Sequence, residues 1–189
     1  MKSEDNRRPQ DRASGADIRD DTTTIRRFLA DDHARLDALL ACAVARPEAI
    51  DRAAYDEFRR GLLKHIAMEE KILLPAAQRL RGGEPLELAA RLRLDHGALA
   101  ALLVPTPTHS ILRALRAILE GHNRLEENAG GVYEICERLV GDAAGELLAQ
   151  LRAAPEVPAA AHVDSPRVMA AARRALARAG YSETLLDAE

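Results

Sequence analysis

Four histidines and two glutamates stand at positions where the surrounding pattern calls for hydrophobes. Glu69 follows His65 by four residues and Glu126 follows His122 by four, which puts each pair on one helix face, a turn apart. The stripe around the first pair is Phe58, Leu62, His65, Glu69, Leu73, Ala76, and around the second Leu115, Ile118, His122, Glu126, Ala129, Tyr133. His33 and His96 each interrupt a further stripe, Ile25, Leu29, His33, Leu36, Leu40 and Leu92, His96, Leu99, Leu103. Two carboxylates and four imidazoles buried without compensation would cost on the order of several kcal/mol per ionised group. A pair of divalent metal ions removes that cost, because carboxylates bridge cations and neutral imidazoles donate a lone pair. Two six-coordinate ions offer roughly twelve positions, of which these side chains fill about eight, leaving room for a bridging oxygen, water or a small diatomic ligand. Cys42 and Cys136 are too far apart in sequence for a thiolate knuckle or a CxxC pair, and both are expected as small buried hydrophobes.

The elements that must position these residues read as helices. The first runs from the caps offered by Thr22 to Thr24 to about Ala45, before Arg46-Pro47. The second runs from about Ile50 to Leu80, kinked by Pro75, and the third from Pro85 to about Val104. The fourth starts at Ser110 and continues to about Leu139, with Gly130-Gly131 as a weak point. Short connections predict an all-α, antiparallel up-down-up-down four-helix bundle with an additional C-terminal helix. Counting residues from the connections places the six polar side chains within about a turn of one layer. The expected organisation is a disordered tail over 1–21, the bundle over 22–153, and a linker with a short helix over 154–189. Gly141 to Ala153 adds a helix or prolongs the fourth. The last segment is expected to pack on the bundle, on a second copy of the chain, or on a protein partner.

Composition agrees with this class. The chain is 47% hydrophobic and 30% charged but only 3% aromatic, with no Trp, so its apolar content is Ala, Leu, Ile and Val. Ala and Leu, with abundant Arg and Glu, favour helix because they lose little rotamer freedom in it. A net charge of −3 gives no electrostatic reason to expect nucleic acid. No apolar run reaches the roughly 20 residues of a membrane span, and the polar start is unlike a secretory signal. A cytoplasmic protein is expected.

The order H…HxxxE…H…HxxxE, with HIAMEEKILLP around the first pair and HNRLEEN around the second, resembles the hemerythrin-like (HHE cation-binding) family over residues 22 to about 140. The resemblance implies an antiparallel bundle around a carboxylate-bridged di-iron site, with an oxo or hydroxo bridge. By motif match, the metal ligands it implies are His33, His65, Glu69, His96, His122 and Glu126. The same ligands would accept zinc or manganese. Oxygen-carrying hemerythrins have a His pair on the third helix, where this chain has His96 between Leu92 and Ala100, and an Asp where it has Glu126. With fewer imidazoles a coordination position stays open. The expected function is therefore to sense, bind or store iron, oxygen or nitric oxide, without turnover. The competing reading is an enzyme with ferroxidase, peroxide-consuming or nitric-oxide-reducing activity. Glu70 beside Glu69 invites a role as seventh ligand, and Asp32 and Asp95, each preceding a ligand histidine, invite a role in supporting the ligands. All three are expected instead as solvated acids, since neighbouring helical positions diverge from the inward face. Tyr133, three turns beyond His122 on an unbroken helix, is expected in the core and out of ligating reach. His109 is expected in a loop and His162 in the linker.

Overall fold

The computed structural model describes residues 23–187, so the tail expected over 1–21 and Thr22 fall outside the described residues. Among the described residues every regular element is a helix: α1 (Ile25–Ala43), α2 (Arg52–Met68), α3 (Leu74–Leu80), α4 (Ala89–Leu102), α5 (His109–Glu127), α6 (Val132–Val140), α7 (Ala144–Arg152) and α8 (Pro166–Arg178). Side chains cap several of them. Thr24 accepts from the Arg27 amide, Asp51 from those of Ala53 and Ala54, Thr108 from Ile111 and Ser165 from Val168. No helix is long and apolar enough to cross a membrane.

Two departures from regular helix shape the centre. Between α2 and α3 the chain makes a π-turn over Glu69–Leu73, in which the Leu74 amide reaches back to the Glu69 carbonyl. Pro75 has no amide hydrogen, and its ring would crowd the carbonyl four residues earlier, so the wider turn relieves at Pro75 what was expected as a kink. The second departure divides the expected fourth helix. α5 stops at Glu127 and α6 begins at Val132, with Gly130 at φ 74° making the turn between them. Ala129, expected inward, is exposed there. Gly131 lies where a Cβ would stand 2.6 Å from the Glu126 carbonyl oxygen and 2.8 Å from that of Asn128. Other boundaries move less. α4 starts at Ala89 rather than Pro85, and His109 opens α5 instead of lying in a loop.

The apolar side chains form two clusters. One gathers Leu36, Leu40, Phe58, Leu62, Leu99, Leu115, Ile118 and Leu119, with Ala172 and Leu176 of α8. The other gathers Ile25, Leu29, Met68, Leu73, Leu92, Val132, Tyr133 and Leu151. Each histidine falls between the two: His33 between Leu29 and Leu36, His65 between Leu62 and Met68, His96 between Leu92 and Leu99, His122 after Leu119. The polar layer is thus closed above and below. α1 and α2 come close because Gly61 has no side chain; a Cβ there would lie 2.7 Å from Arg35 Nη2 and from Leu36 Cδ2.

The C-terminal segment packs on its own bundle. Ala172, Ala175 and Leu176 of α8 are buried in the first cluster, and Arg91 of α4 donates to the Ala179 carbonyl and to the Tyr181 hydroxyl. The linker is tied down as well: Thr106 bonds Asp164 through its amide at 2.8 Å and its hydroxyl at 2.6 Å, and the Val163 amide reaches the Val104 carbonyl. His162 lies in this linker, as expected, stacked on Tyr55 with ring centroids 6.1 Å apart. Cys136 is buried, but Cys42 is exposed, because Leu36, Leu40 and Ala43 take the inward face of α1.

Gly131→Ala should lower stability by about 1–3 kcal/mol, since its Cβ meets backbone that must shift. Urea denaturation checks this; a midpoint equal to that of the parent chain would contradict the close approach.

Candidate metal centre

α1, α2, α4 and α5 each deliver one histidine to the layer between the clusters, and the π-turn and α5 deliver Glu69 and Glu126. The structure brings all six side chains together, each 4% exposed or less, so bulk water does not solvate them. They divide into two sets, His33, His65, Glu69, Glu126 and Glu69, His96, His122, Glu126, with ligand atoms in each within 4.8 Å of one another. The glutamates belong to both. Glu69 presents Oε1 to His65 Nε2 at 3.3 Å and Oε2 to His96 Nε2 at 3.1 Å. Glu126 presents Oε2 to His33 Nε2 at 3.4 Å and Oε1 to His122 Nε2 at 3.3 Å. Each carboxylate therefore offers one oxygen to each histidine pair.

The far side of every imidazole faces a carboxylate. His65 Nδ1 donates to Asp32 and His96 Nδ1 to Glu70, both at 2.8 Å, and His33 Nδ1 to Glu127 at 2.5 Å. His122 Nδ1 lies 3.7 Å from Asp95, which Arg91 holds at 2.9 Å. A carboxylate only accepts, so the three bonded rings carry a proton on Nδ1 and turn Nε2 towards the centre, the arrangement of metal-binding histidines with carboxylate partners. Three of these acids were expected in solvent. Asp32 does point away from His33's direction, but towards the neighbouring helix, where it meets His65. Asp95 is fully buried and faces His122 Nδ1 at 3.7 Å, without a hydrogen bond. Glu70 stands in the π-turn, not on a regular helix, and reaches across to α4. The fourth acid, Glu127, was not singled out at all. A signal for all four is present: Asp-His occurs at 32–33 and 95–96, and HxxxEE at 65–70 and 122–127, so the chain repeats one pattern twice.

Tyr133 corrects the sequence reading more sharply. Because the chain turns between α5 and α6, the ring comes back over the layer rather than continuing away from it. Its hydroxyl donates to Glu69 Oε1 at 2.6 Å and lies 3.1 Å from Glu126 Oε2, 3.2 Å from His33 Nε2 and 3.3 Å from His65 Nε2.

Several observations fit this donor set to metal ions. Glu69 Oε2 and Glu126 Oε1 are buried without a hydrogen bond, although each lies beside an imidazole nitrogen. His96 Nε2 and His122 Nε2 face each other at 3.2 Å, so a proton or a metal ion must stand between their lone pairs. Oxygen and imidazole donors without thiolate suit iron, zinc or manganese.

In the metal-free chain, protons take the place of the ions. Burial opposes charge on His65, but Glu69 and Asp32 outweigh it and raise the imidazole to about 10. Burial likewise opposes charge on His122, and Glu126 and Asp95 raise it to about 10. Burial would lift Glu69, yet His65 and His96 hold it well below the usual carboxylate range. Glu126 goes the other way, raised by burial and by the charge of Glu69. Burial and both glutamates push the Tyr133 phenol well above its ordinary range. The two histidines have folded values above their ordinary 6.5, so their contribution to stability is complete below about 6.5 and is lost as pH rises through about 10. Urea midpoints of the metal-free chain should accordingly fall across that window. A midpoint that climbs there would contradict the charge balance described.

Comparison with curated proteins finds no match, and comparison with solved structures finds none. The sequence does match the hemerythrin HHE cation binding domain over residues 24–130, more than half of the chain and a span that includes all six clustered residues. The chain belongs to the hemerythrin HHE cation-binding family.

Proposed function

We propose that this protein holds a non-haem di-iron centre, with His33, His65, His96 and His122 as terminal ligands and Glu69 and Glu126 as bridges. The observation that carries the reading is the division of each glutamate's two oxygens between the two histidine pairs. A single ion would not need both oxygens of both carboxylates; two adjacent ions would use all four. The helices carrying these ligands are proposed to run antiparallel in up-down-up-down order, in a protein of the cytoplasm, where the exposed thiol of Cys42 would stay reduced.

We further propose that the centre senses, binds or stores iron or a small diatomic ligand, oxygen or nitric oxide, rather than turning over a larger substrate. The six ligands are buried between two apolar clusters. A cavity of about 450 Å³ that reaches Asp32 and Met68 is lined by none of the six. Only something the size of a few atoms fits such a layer without repacking it. Iron, when bound, supplies the capacity to take up such a ligand and to exchange electrons with it. The protein's own part is to exclude water, to hold the Nε2 of His33, His65 and His96 inward through their Nδ1 partners, and to balance the charge of two cations with two buried carboxylates.

The chain loaded with ferrous iron and then exposed to air should retain about two irons, reading the two ligand sets as one ion each. Glu69→Ala should lose both ions, because it removes an oxygen from each set, whereas His96→Ala should lose one. Asp32→Ala should retain the ligands but weaken iron binding by about 10–100-fold, through a poorly held His65. Metal analysis after gel filtration reads all three. Retention of both ions by Glu69→Ala would contradict the bridging role, and rapid steady-state consumption of peroxide or nitric oxide would replace the binding function with an enzymatic one.

A further inference from the structure

The two halves of the centre are related by the repeated Asp-His and HxxxEE pattern, and one residue breaks the relation. Tyr133 stands seven residues after Glu126; the corresponding position after Glu69 is Ala76, which has no donor atom. The tyrosine also lies beyond the family match, which ends at residue 130, and the turn over 128–131 returns it to the layer. Its hydroxyl approaches only one of the two sets. It is 2.6 Å from Glu69 Oε1, 3.1 Å from Glu126 Oε2, 3.2 Å from His33 Nε2 and 3.3 Å from His65 Nε2, which are the donor atoms of the first set. Donors at about 2.1 Å from an octahedral ion lie about 3 Å from their neighbours on adjacent vertices. The hydroxyl thus stands at the separation from four ligand atoms that a fifth ligand of the same ion would have. Around His96 and His122, no tyrosine occupies the matching place among the described residues.

Resting on the di-metal reading above, we propose that Tyr133 is a fifth protein ligand to the ion held by His33 and His65. On coordination the phenol O–H bond breaks, an oxygen–metal bond forms and the proton leaves to solvent. The ion held by His96 and His122 keeps four protein donors. The centre is therefore unequal, and an exogenous ligand enters at the His96 and His122 side, where more positions are open.

Iron-loaded, air-oxidised protein is the material for the test, with resonance Raman and Mössbauer spectra alongside metal content. The parent chain should show phenolate ring modes enhanced through a phenolate-to-iron charge-transfer band, and two unequal ferric doublets. Tyr133→Phe should lose the phenolate modes, while Tyr55→Phe, altered in the apolar cluster away from the centre, should keep them. Two bound irons without phenolate modes in the parent chain would overturn the proposal and leave the di-iron centre standing. Phenolate modes that persist in Tyr133→Phe would overturn it equally. A parent chain that takes up no iron would remove the di-iron reading itself, and this inference with it.

Discussion

Two carboxylates and four imidazoles share a layer from which water is excluded, and the fold depends on how their charges are balanced. Isolated, a buried carboxylate of this kind is costly enough to undo much of a small domain's net stability. Here each glutamate lies between two imidazoles, and each imidazole lies between a glutamate and a second acid. Protons on His65 and His122 offset part of the carboxylate charge in the metal-free chain, and cations would offset it in their place. The apolar clusters on either side strengthen every one of these interactions by keeping the local dielectric low.

The backbone devices around the layer make sense as means of aiming side chains at it. The π-turn forced at Pro75 begins at Glu69, and it is from this turn that Glu69 and Glu70 reach the two sides of His96. Gly61 lets α1 approach α2, so that Asp32, paired with Arg35, meets His65. The break after Glu127 returns Tyr133 to the centre, and Arg26 of α1 holds that break by donating to the Glu127 carbonyl at 2.8 Å. α8 covers the opposite cluster, where Ala172, Ala175 and Leu176 add apolar burial.

Much of this was legible in the sequence, and the limits have physical reasons. His33, His65, Glu69, His96, His122 and Glu126 were readable because a polar residue on an apolar stripe stands out, and helical spacing alone puts His and Glu on one face. The partners of the imidazoles were not readable that way. Asp32 and Asp95 lie one position off the inward stripe, and whether such a residue meets solvent or the next helix depends on how closely the helices pack. Glu70 was misplaced because regular helix geometry was assumed through a π-turn. Tyr133 is in the core as expected, but its distance from the centre and the inward place of Ala129 were misjudged together, since both followed from carrying the fourth helix through Gly130-Gly131 unbroken. Cys42 was assigned to the core on its apolar neighbours, although its own helical position faces out.

The central claim is that two ions sit side by side, bridged by Glu69 and Glu126. X-ray absorption at the iron edge of the loaded chain tests it most directly. The account predicts an iron–iron vector of about 3.5–4 Å or less, with nitrogen and oxygen as nearest neighbours. Iron bound with no second iron in that range, or with sulfur in its first shell, would contradict it.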